Sequence, residues 1–475
     1  MKLIYNIQDK PAFSKLILYA FQQVLAIMAA TIAVPMIVGN GMSTAAALFG
    51  AGAGTLVYVA FTKKKSPVFL GSSFAFIGSM CAAFASAVSV QVGYAGLLIG
   101  ALCAGLVYVV ISFIIRKVGV HWINQLMPPV VIGPTVAIIG LSLATNAVGD
   151  LQKSSLTGEM TQWAVLCGLV ALITTMLVST YGSKNFKLIP FIVGILAGYV
   201  CAAVLTLIGN ATGTASMQII NFAPFEELFK DGITFSTFFS IPDFTFVHAL
   251  EGLKDVDAGY ISSVLVAYTP VAFVVFAEHI ADHKNISSII EKDLLEDPGL
   301  SNTLLGDGVG SFVGAFFGGC PNTTYGESVA CVAITRNASV ATIIAAAVEC
   351  ILISFIAPFI AFISTIPACV MGGVCMALYG FIAVSGLKMV QRLDLDVNKN
   401  LYVVSTILIS GIGGLSLTFG NITITSVACS LILGILVNTL LKKDPNPTPE
   451  VTEMVEDSNS NYARARKVAE NIENL

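Results

Sequence analysis

Pro321–Asn322–Thr323–Thr324–Tyr325–Gly326–Glu327 lies between two apolar segments, Val309–Gly319 and Ser328–Ile334. A proline, an amide, hydroxyls and a glycine in succession break a helix rather than continue one. The stretch closes on a carboxylate whose neighbours suggest hydrocarbon. An ionisable group in a broken membrane segment marks a site by default, because a charge is costly to keep there. The rest of the chain reads as the scaffold that holds this break at mid-membrane.

Composition supports that reading. Of 475 residues, 56% are hydrophobic and only 11% charged, where a soluble domain carries about 25% charged. This is the balance of a polytopic membrane protein, not of a large globular enzyme. Runs of about 20 apolar residues, the length that crosses a bilayer, recur almost from end to end. The cysteines, among them Cys81, Cys103, Cys167, Cys201, Cys350, Cys375 and Cys429, are scattered through these runs without ligand-like spacing. They read as small buried hydrophobes, with neither a zinc site nor a disulfide framework. Met1–Lys15 is polar and shows no signal-peptide cleavage pattern.

Outward from the break, the spans fall at about Phe13–Val38, Ala45–Phe61, Pro67–Ser86, Gly93–Ile115, Pro128–Ala147, Thr161–Tyr181 and Leu188–Ile208. They resume at about Tyr260–His283, Leu300–Gly319, Thr323–Thr335, Ser339–Ile363, Ile366–Ser385, Leu401–Leu417 and Ile424–Leu441. The third is interrupted and the tenth short, giving about fourteen segments, with about 20 residues to a full crossing. Between the seventh and eighth, 209–259 predicts a partly ordered extramembrane excursion. With the N-terminus inside, Lys63, Lys64, Lys65, Arg116, Lys117, Lys284, Lys292, Arg336, Lys388, Arg392, Lys442 and Lys443 all face the cytoplasm. Only Lys153, Lys230 and Lys254 fall outside, a strong positive-inside pattern that puts both termini in the cytoplasm. Dropping either short segment would invert every later loop. The tail, 442–475, reads as a solvated end that is weakly helical over Tyr462–Leu475.

Seven crossings separate the two interrupted segments, and seven is odd. Two halves of seven spans therefore have opposite topology, and paired breaks at matching positions point to a transporter binding site.

Buried carboxylates are few. Glu278 sits in Phe276–Ala277–Glu278–His279–Ile280–Ala281–Asp282–His283, and Glu327 sits at the break. Both read as substrate or proton sites. Asp282 lies one helical turn after Glu278 and shares its face. His279 and His283 lie off that face and read as interfacial. Glu349, alone among Ala, Val and Ile, reads as a structural or packing residue, and Asp307 as solvated near a cytoplasmic loop. Gly306, Gly310, Gly314 and Gly318 form a small-residue stripe for close helix packing. No strand precedes this stripe and no Lys-Ser/Thr follows it, so it is not a nucleotide loop. Neither a nucleophile–base pair nor a metal-ligand cluster accompanies the break, which argues against an enzyme, a metal or a cofactor.

Several strings resemble the nucleobase–ascorbate transporter (nucleobase:cation symporter-2) family, and within it the bacterial uracil carriers. They are Gly71–Ser72–Ser73–Phe74–Ala75–Phe76, Ala277–Glu278–His279, Lys292–Asp293–Leu294–Leu295, Asp297–Pro298–Gly299–Leu300 and the break itself. The similarity continues through Ala333–Ile334–Thr335–Arg336, Val370–Met371–Gly372–Gly373 and Leu378–Tyr379–Gly380. The resemblance implies an all-α polytopic fold of fourteen segments in two inverted repeats of seven, with short extended strands in segments 3 and 10. It implies a core domain over 13–117 and 260–363, and a gate domain over 128–208 and 366–441. It further implies a homodimer in the plasma membrane, surrounded by lipids and without nucleic acid, that imports uracil with protons by alternating access.

The substrate residues implied are Phe74, Glu278, Tyr325, Gly326, Glu327 and Tyr379, with Glu278, Asp282 and Glu327 as proton carriers. Ser73, Gln22, His279 and Ser328 are supporting positions. Uracil's N–H groups suit carboxylates, and its carbonyls suit the free N–H groups at half-helix starts. The chain departs from the family pattern at Asp282, where a histidine is usual, at Gln23, where Gln–His is common, and at Ser328 and Ala330. The alternatives are a xanthine, uric acid or other nucleobase carrier and, more remotely, an anion transporter or channel on the same scaffold.

Overall fold

The computed structural model describes residues 3–119, 128–183, 186–419 and 422–441. The expected cytoplasmic tail, 442–475, lies outside the described residues. Within them, eight helical stretches are long and apolar enough to cross a membrane. A helix satisfies its own backbone polar groups, which lipid cannot do for it.

The first half contains α1 (Phe13–Val38), α2 (Thr44–Phe61), β1 (Leu70–Ser72), α3 (Ile77–Ala85) and α4 (Val90–Val118). There follow α5 (Pro129–Ser142), α6 (Ala144–Leu151), α7 (Gln162–Tyr181) and α8 (Pro190–Thr212). The connecting excursion holds α9 (Ala223–Phe229), α10 (Phe235–Phe238) and α11 (Thr245–Gly252). The second half contains α12 (Ala258–Ile290), α13 (Leu300–Gly318), β2 (Asn322–Thr324), α14 (Gly326–Thr335), α15 (Val340–Ile353) and α16 (Ala357–Ser364). It ends with α17 (Ala368–Val390), α18 (Asn398–Ile412), β3 (Leu417–Phe419), β4 (Ile422–Ile424) and α19 (Ser426–Leu440).

Local chemistry sets several ends. The Ser43 hydroxyl accepts from Ala46 N–H at 3.1 Å to start α2. Asp257 accepts from Tyr260 N–H at 2.6 Å to start α12. Gly319, at φ +75°, supplies the left-handed residue that stops α13.

The helices gather into two sets. In one, α13 lies against α2 and α4, α12 against α4, and α15 against α1 and α2. In the other, α17 packs on α5, α6 and α7, with α8 on α7 and α18 between α5 and α19. The glycine stripe of α13 explains its closeness to α2. A methyl group at Gly310 would stand 2.7 Å from the Gly54 carbonyl oxygen, and one at Gly318 2.6 Å from that of Ala46. Small residues let the two backbones touch, as the stripe predicts.

Two features differ from the sequence reading. The span expected over 339–363 is two helices, with Pro358 in the first turn of α16 restarting the chain after the turn at Ser354–Ile356. The chain expected to leave its span at Leu417 instead ends α18 at Ile412 and forms an antiparallel hairpin, β3 with β4. The excursion, expected to be partly ordered, holds short helices, and the last of them packs on the bundle through its aromatic rings. Phe246 stacks on Phe316 at 4.8 Å, and the Phe244 ring meets those of Phe49 and Phe317 at 4.9 and 5.5 Å.

Candidate functional site

Three residues of β1 and three of β2 cross inside the helix bundle. They pair antiparallel, with Leu70 opposite Thr324, Gly71 opposite Thr323 and Ser72 opposite Asn322. Extended backbone at membrane depth survives only where protein satisfies it, and all six residues are buried. The ladder is extended by Ser73 N–H to the Pro321 carbonyl at 2.9 Å and by Tyr325 N–H to the Phe69 carbonyl at 3.3 Å. Gly71 has to be glycine here, because the Tyr325 ring fills the place of its side chain at 2.5 Å. That ring's hydroxyl donates to the Ser72 carbonyl at 2.5 Å.

Each strand is anchored to α2 or its neighbours. Thr55 Oγ1 accepts from Leu70 N–H at 2.9 Å, and the Asn322 amide donates to the Gly50 carbonyl at 3.0 Å. Each strand then feeds a short helix. The 3₁₀ turn Phe74–Phe76 leads into α3, and α14 begins at Gly326. Helix starts carry unpaired N–H groups and positive potential. Gly326 is exposed at one of them, beside the half-buried Glu327.

The long helix α12 supplies the facing carboxylates. Asp282 Oδ2 accepts from Thr324 Oγ1 at 2.8 Å, which ties α12 to the end of β2. Asp282 lies within electrostatic reach of Glu278 and Glu327. Glu278 is half-buried, one turn earlier on the same face. From the second helix set, α17 brings Tyr379, whose ring meets Phe74 edge-on at 5.8 Å. The Tyr379 hydroxyl is buried without a hydrogen-bond partner among the described residues. Asp282 is thus joined to Thr324 and lies near Glu278 and Glu327, while Phe74 at the other strand–helix start meets Tyr379 of the second helix set.

The supporting positions scatter. Ser328 Oγ accepts from the Gln23 amide and, at 3.0 Å, from Phe69 N–H. The Ser73 hydroxyl and Gln22 Oε1 are buried without partners among the described residues. His279 turns away from the junction: Nδ1 meets Asp307 Oδ2 at 2.6 Å, and Nε2 meets Thr303 Oγ1 at 3.0 Å.

Two sequence readings are corrected here. Asp307 is not solvated but fully buried, because it stands two turns inside α13 facing α12. His279 and His283 are not interfacial but fully buried. His283 Nδ1–H donates to the His279 carbonyl at 2.8 Å, while Nε2 meets the Tyr58 hydroxyl at 2.6 Å, and Tyr58 meets Ser66 at 2.7 Å. Glu349, read as a structural residue, has both carboxylate oxygens buried without a hydrogen-bond partner among the described residues.

The Asp307 network has a definite proton count. Thr303 Oγ1 donates to the Leu300 carbonyl at 3.1 Å, so it accepts from His279 Nε2–H. One further proton lies between Nδ1 and Oδ2, and the pair is neutral whichever atom holds it. Sequence reasoning missed this cluster. Its signal was two polar pairs at helical spacing in apolar spans, Thr303 with Asp307 and His279 with His283.

The model of the Permease family matches residues 14–420. The chain belongs to this family. It is the assignment that the sequence strings pointed to. The uracil permease of Bacillus caldolyticus is 36% identical over 458 residues, covering 95% of this chain and 98% of that protein. The uracil permease of Escherichia coli (strain K12) is 32% identical, covering 92% and 94%. Among solved structures, the transmembrane domain of a cyanobacterium bicarbonate transporter, BicA, has TM-score 0.56 at 15% identity, covering 91% of this chain and all of that one. The murine Slc26a9 anion transporter in the inward-facing state has TM-score 0.62 at 10% identity, covering 92% and 69%. These likenesses concern the fold alone. Fold and family together make this a multi-pass membrane permease rather than an enzyme.

Proposed function

We propose that this permease is a proton-coupled symporter that imports uracil across the plasma membrane by alternating access. One observation carries the reading: the Glu278 and Asp282 face of α12 meets two half-helix starts, with Glu327 at one of them. Carboxylates this close repel when ionised, and N–H donors or a proton between them relieve that repulsion. Uracil brings N–H groups for Glu278 and Glu327. Its carbonyls accept from backbone N–H groups near Phe74 and Gly326, and Tyr325 and Tyr379 close the pocket. Relatives named uracil permease over nearly their full length support the choice of base.

In this reading the chain makes fourteen segments in two inverted repeats of seven, with both termini cytoplasmic. The α1–α4 and α12–α16 set is the core domain, and the α5–α8 and α17–α19 set is the gate. Glu278 takes a proton from outside as uracil binds, the core moves against the gate, and both cargoes leave inside. The working unit is a homodimer in lipid. The solved structures of similar fold include a bicarbonate and an anion transporter, but an anion would meet repulsion from these carboxyls.

The test is uptake of labelled uracil into proteoliposomes with and without an imposed proton gradient. A gradient with the outside acid and the lumen alkaline should drive accumulation, and Glu278→Gln should abolish it. Unchanged, gradient-driven uptake by Glu278→Gln would overturn the role of Glu278. A panel of unlabelled bases separates uracil from xanthine and uric acid.

A further inference from the structure

Among the described elements, the chain passes between the two helix sets three times: from α4 to α5, from α8 to α12, and from α15 through α16 to α17. The second and third passages meet each other. Phe239 pairs with Ile356 in an antiparallel bridge, and Ser240 N–H donates to the Phe355 carbonyl at 3.0 Å. The short helices α9 and α10 of the excursion lie against α16.

Both passages also share their anchors. At one end, the Phe49 ring of α2 meets Phe244 of the excursion at 4.9 Å and Phe355 at 5.9 Å. At the other end, both are held by α8. Thr206 Oγ1 accepts from the Ile219 and Ile220 N–H groups, each at 3.1 Å. The Tyr199 hydroxyl lies 2.9 Å from Thr365 Oγ1, and its ring meets Phe362 at 5.0 Å. Two connections that start at one ring, end on one helix and are bonded midway cannot slide past each other without breaking these ties. Hinges work through a few loop or element-end residues that absorb backbone rotation. With the two passages joined, that rotation falls to the residues flanking the joint rather than to the joint itself.

We propose that the excursion and α16 form one jointed hinge, which moves as a single body when the two helix sets move against each other. This rests on the alternating-access reading above, which counts α16 with the core. The joint keeps the path of the core narrow. Loosened, it lets the core take orientations from which transport does not proceed.

The test compares two cross-links in full-length protein in proteoliposomes, with each tie verified by mass spectrometry. Directly opposed residues of an antiparallel pair have Cα atoms about 4.5–5.5 Å apart, inside the ~4.4–6.8 Å range of a disulfide. Phe239 and Ile356 are both exposed, so Phe239→Cys with Ile356→Cys can be closed by copper phenanthroline. The second tie joins gate to core. Ile189, just ahead of α8, packs against Cys331 of α14, and a bifunctional thiol reagent links Ile189→Cys to that native thiol.

The 239–356 tie should leave uptake of labelled uracil at the level of the reduced variant, and the 189–331 tie should stop it. Uptake stopped by the 239–356 tie, whatever the other does, overturns the proposal. Uptake untouched by both ties refutes the two-body reading itself, and the hinge with it. Ser240→Pro removes the N–H given to Phe355. It should lower the maximal rate about threefold or more at the parent KM, from loss of one hydrogen bond. Closing the 239–356 disulfide in that background should restore the rate. A parent rate in Ser240→Pro, or no recovery when the disulfide closes, also overturns the proposal.

Discussion

Asp307→Ala is the sharpest test of how the core of this permease is held together. The carboxylate is fully buried and meets His279 Nδ1 at 2.6 Å, and His279 is held on its other side by Thr303 at 3.0 Å. Removing one partner of a buried, hydrogen-bonded pair typically costs about 3–5 kcal/mol, because the other partner is left desolvated and unmatched. Here the lower end applies. Asp307 Oδ1 has no partner among the described residues, so the substitution also relieves one unsatisfied oxygen. The expected loss is about 3 kcal/mol. His279→Ala should cost a similar amount, and the double variant should cost less than the sum by about 1–3 kcal/mol, the coupling of groups in direct contact. Asp307→Asn should lose only about 1 kcal/mol, since its amide can donate to Nδ1 while Nε2–H stays on Thr303. The assay is equilibrium unfolding of the purified variants in mixed detergent micelles. Asp307→Ala within about 0.5 kcal/mol of the parent, the range of an inconsequential surface change, would refute the pairing. So would strict additivity in the double variant.

Thr324→Val keeps the shape of the side chain but removes the hydroxyl that donates to Asp282 at 2.8 Å. Uracil uptake should fall about tenfold, for a loss of about 1–2 kcal/mol when a buried acceptor is left unmatched, and an unchanged rate in transport assays would count against the tie between α12 and β2. Gly54→Ala should prevent a folded yield in detergent size-exclusion chromatography. Its methyl would meet the Asn322 amide and the Gly310 carbonyl, each at 2.6 Å, with backbone unable to yield. Gly149→Ala, with nothing within 4 Å, should express like the parent.

Both breaks were legible in the sequence because their cause is local. Gly71, Ser72 and Ser73 in one, and Pro321, Asn322 and Gly326 in the other, oppose a continuous helix through their own chemistry. The β3–β4 hairpin was legible too, but was missed. Leu417–Phe419 and Ile422–Ile424 flank Gly420–Asn421, a turn dipeptide between apolar residues. Asp307 was misplaced because distance along the chain from a loop is a poor guide to depth. Seven residues of helix carry a side chain about 10 Å along the axis, and whether it then meets water or His279 depends on which neighbour packs there.

The amino-acid sequence by itself determined the class, the family, the two broken segments and the residue types gathered for the site. These follow from hydropathy, from helix-breaking chemistry and from long specific strings, all of which are properties of neighbours in the chain. Only the tertiary structure decided the partners: Thr324 on Asp282, Gln23 and Phe69 on Ser328, His279 on Asp307, and Phe74 against Tyr379. Each partnership joins elements far apart in sequence. Each turns on helix rotation, where one residue of phase moves a side chain by about 100°. No local pattern sets that phase; the glycine contacts between α2 and α13 and the register of β1 on β2 do.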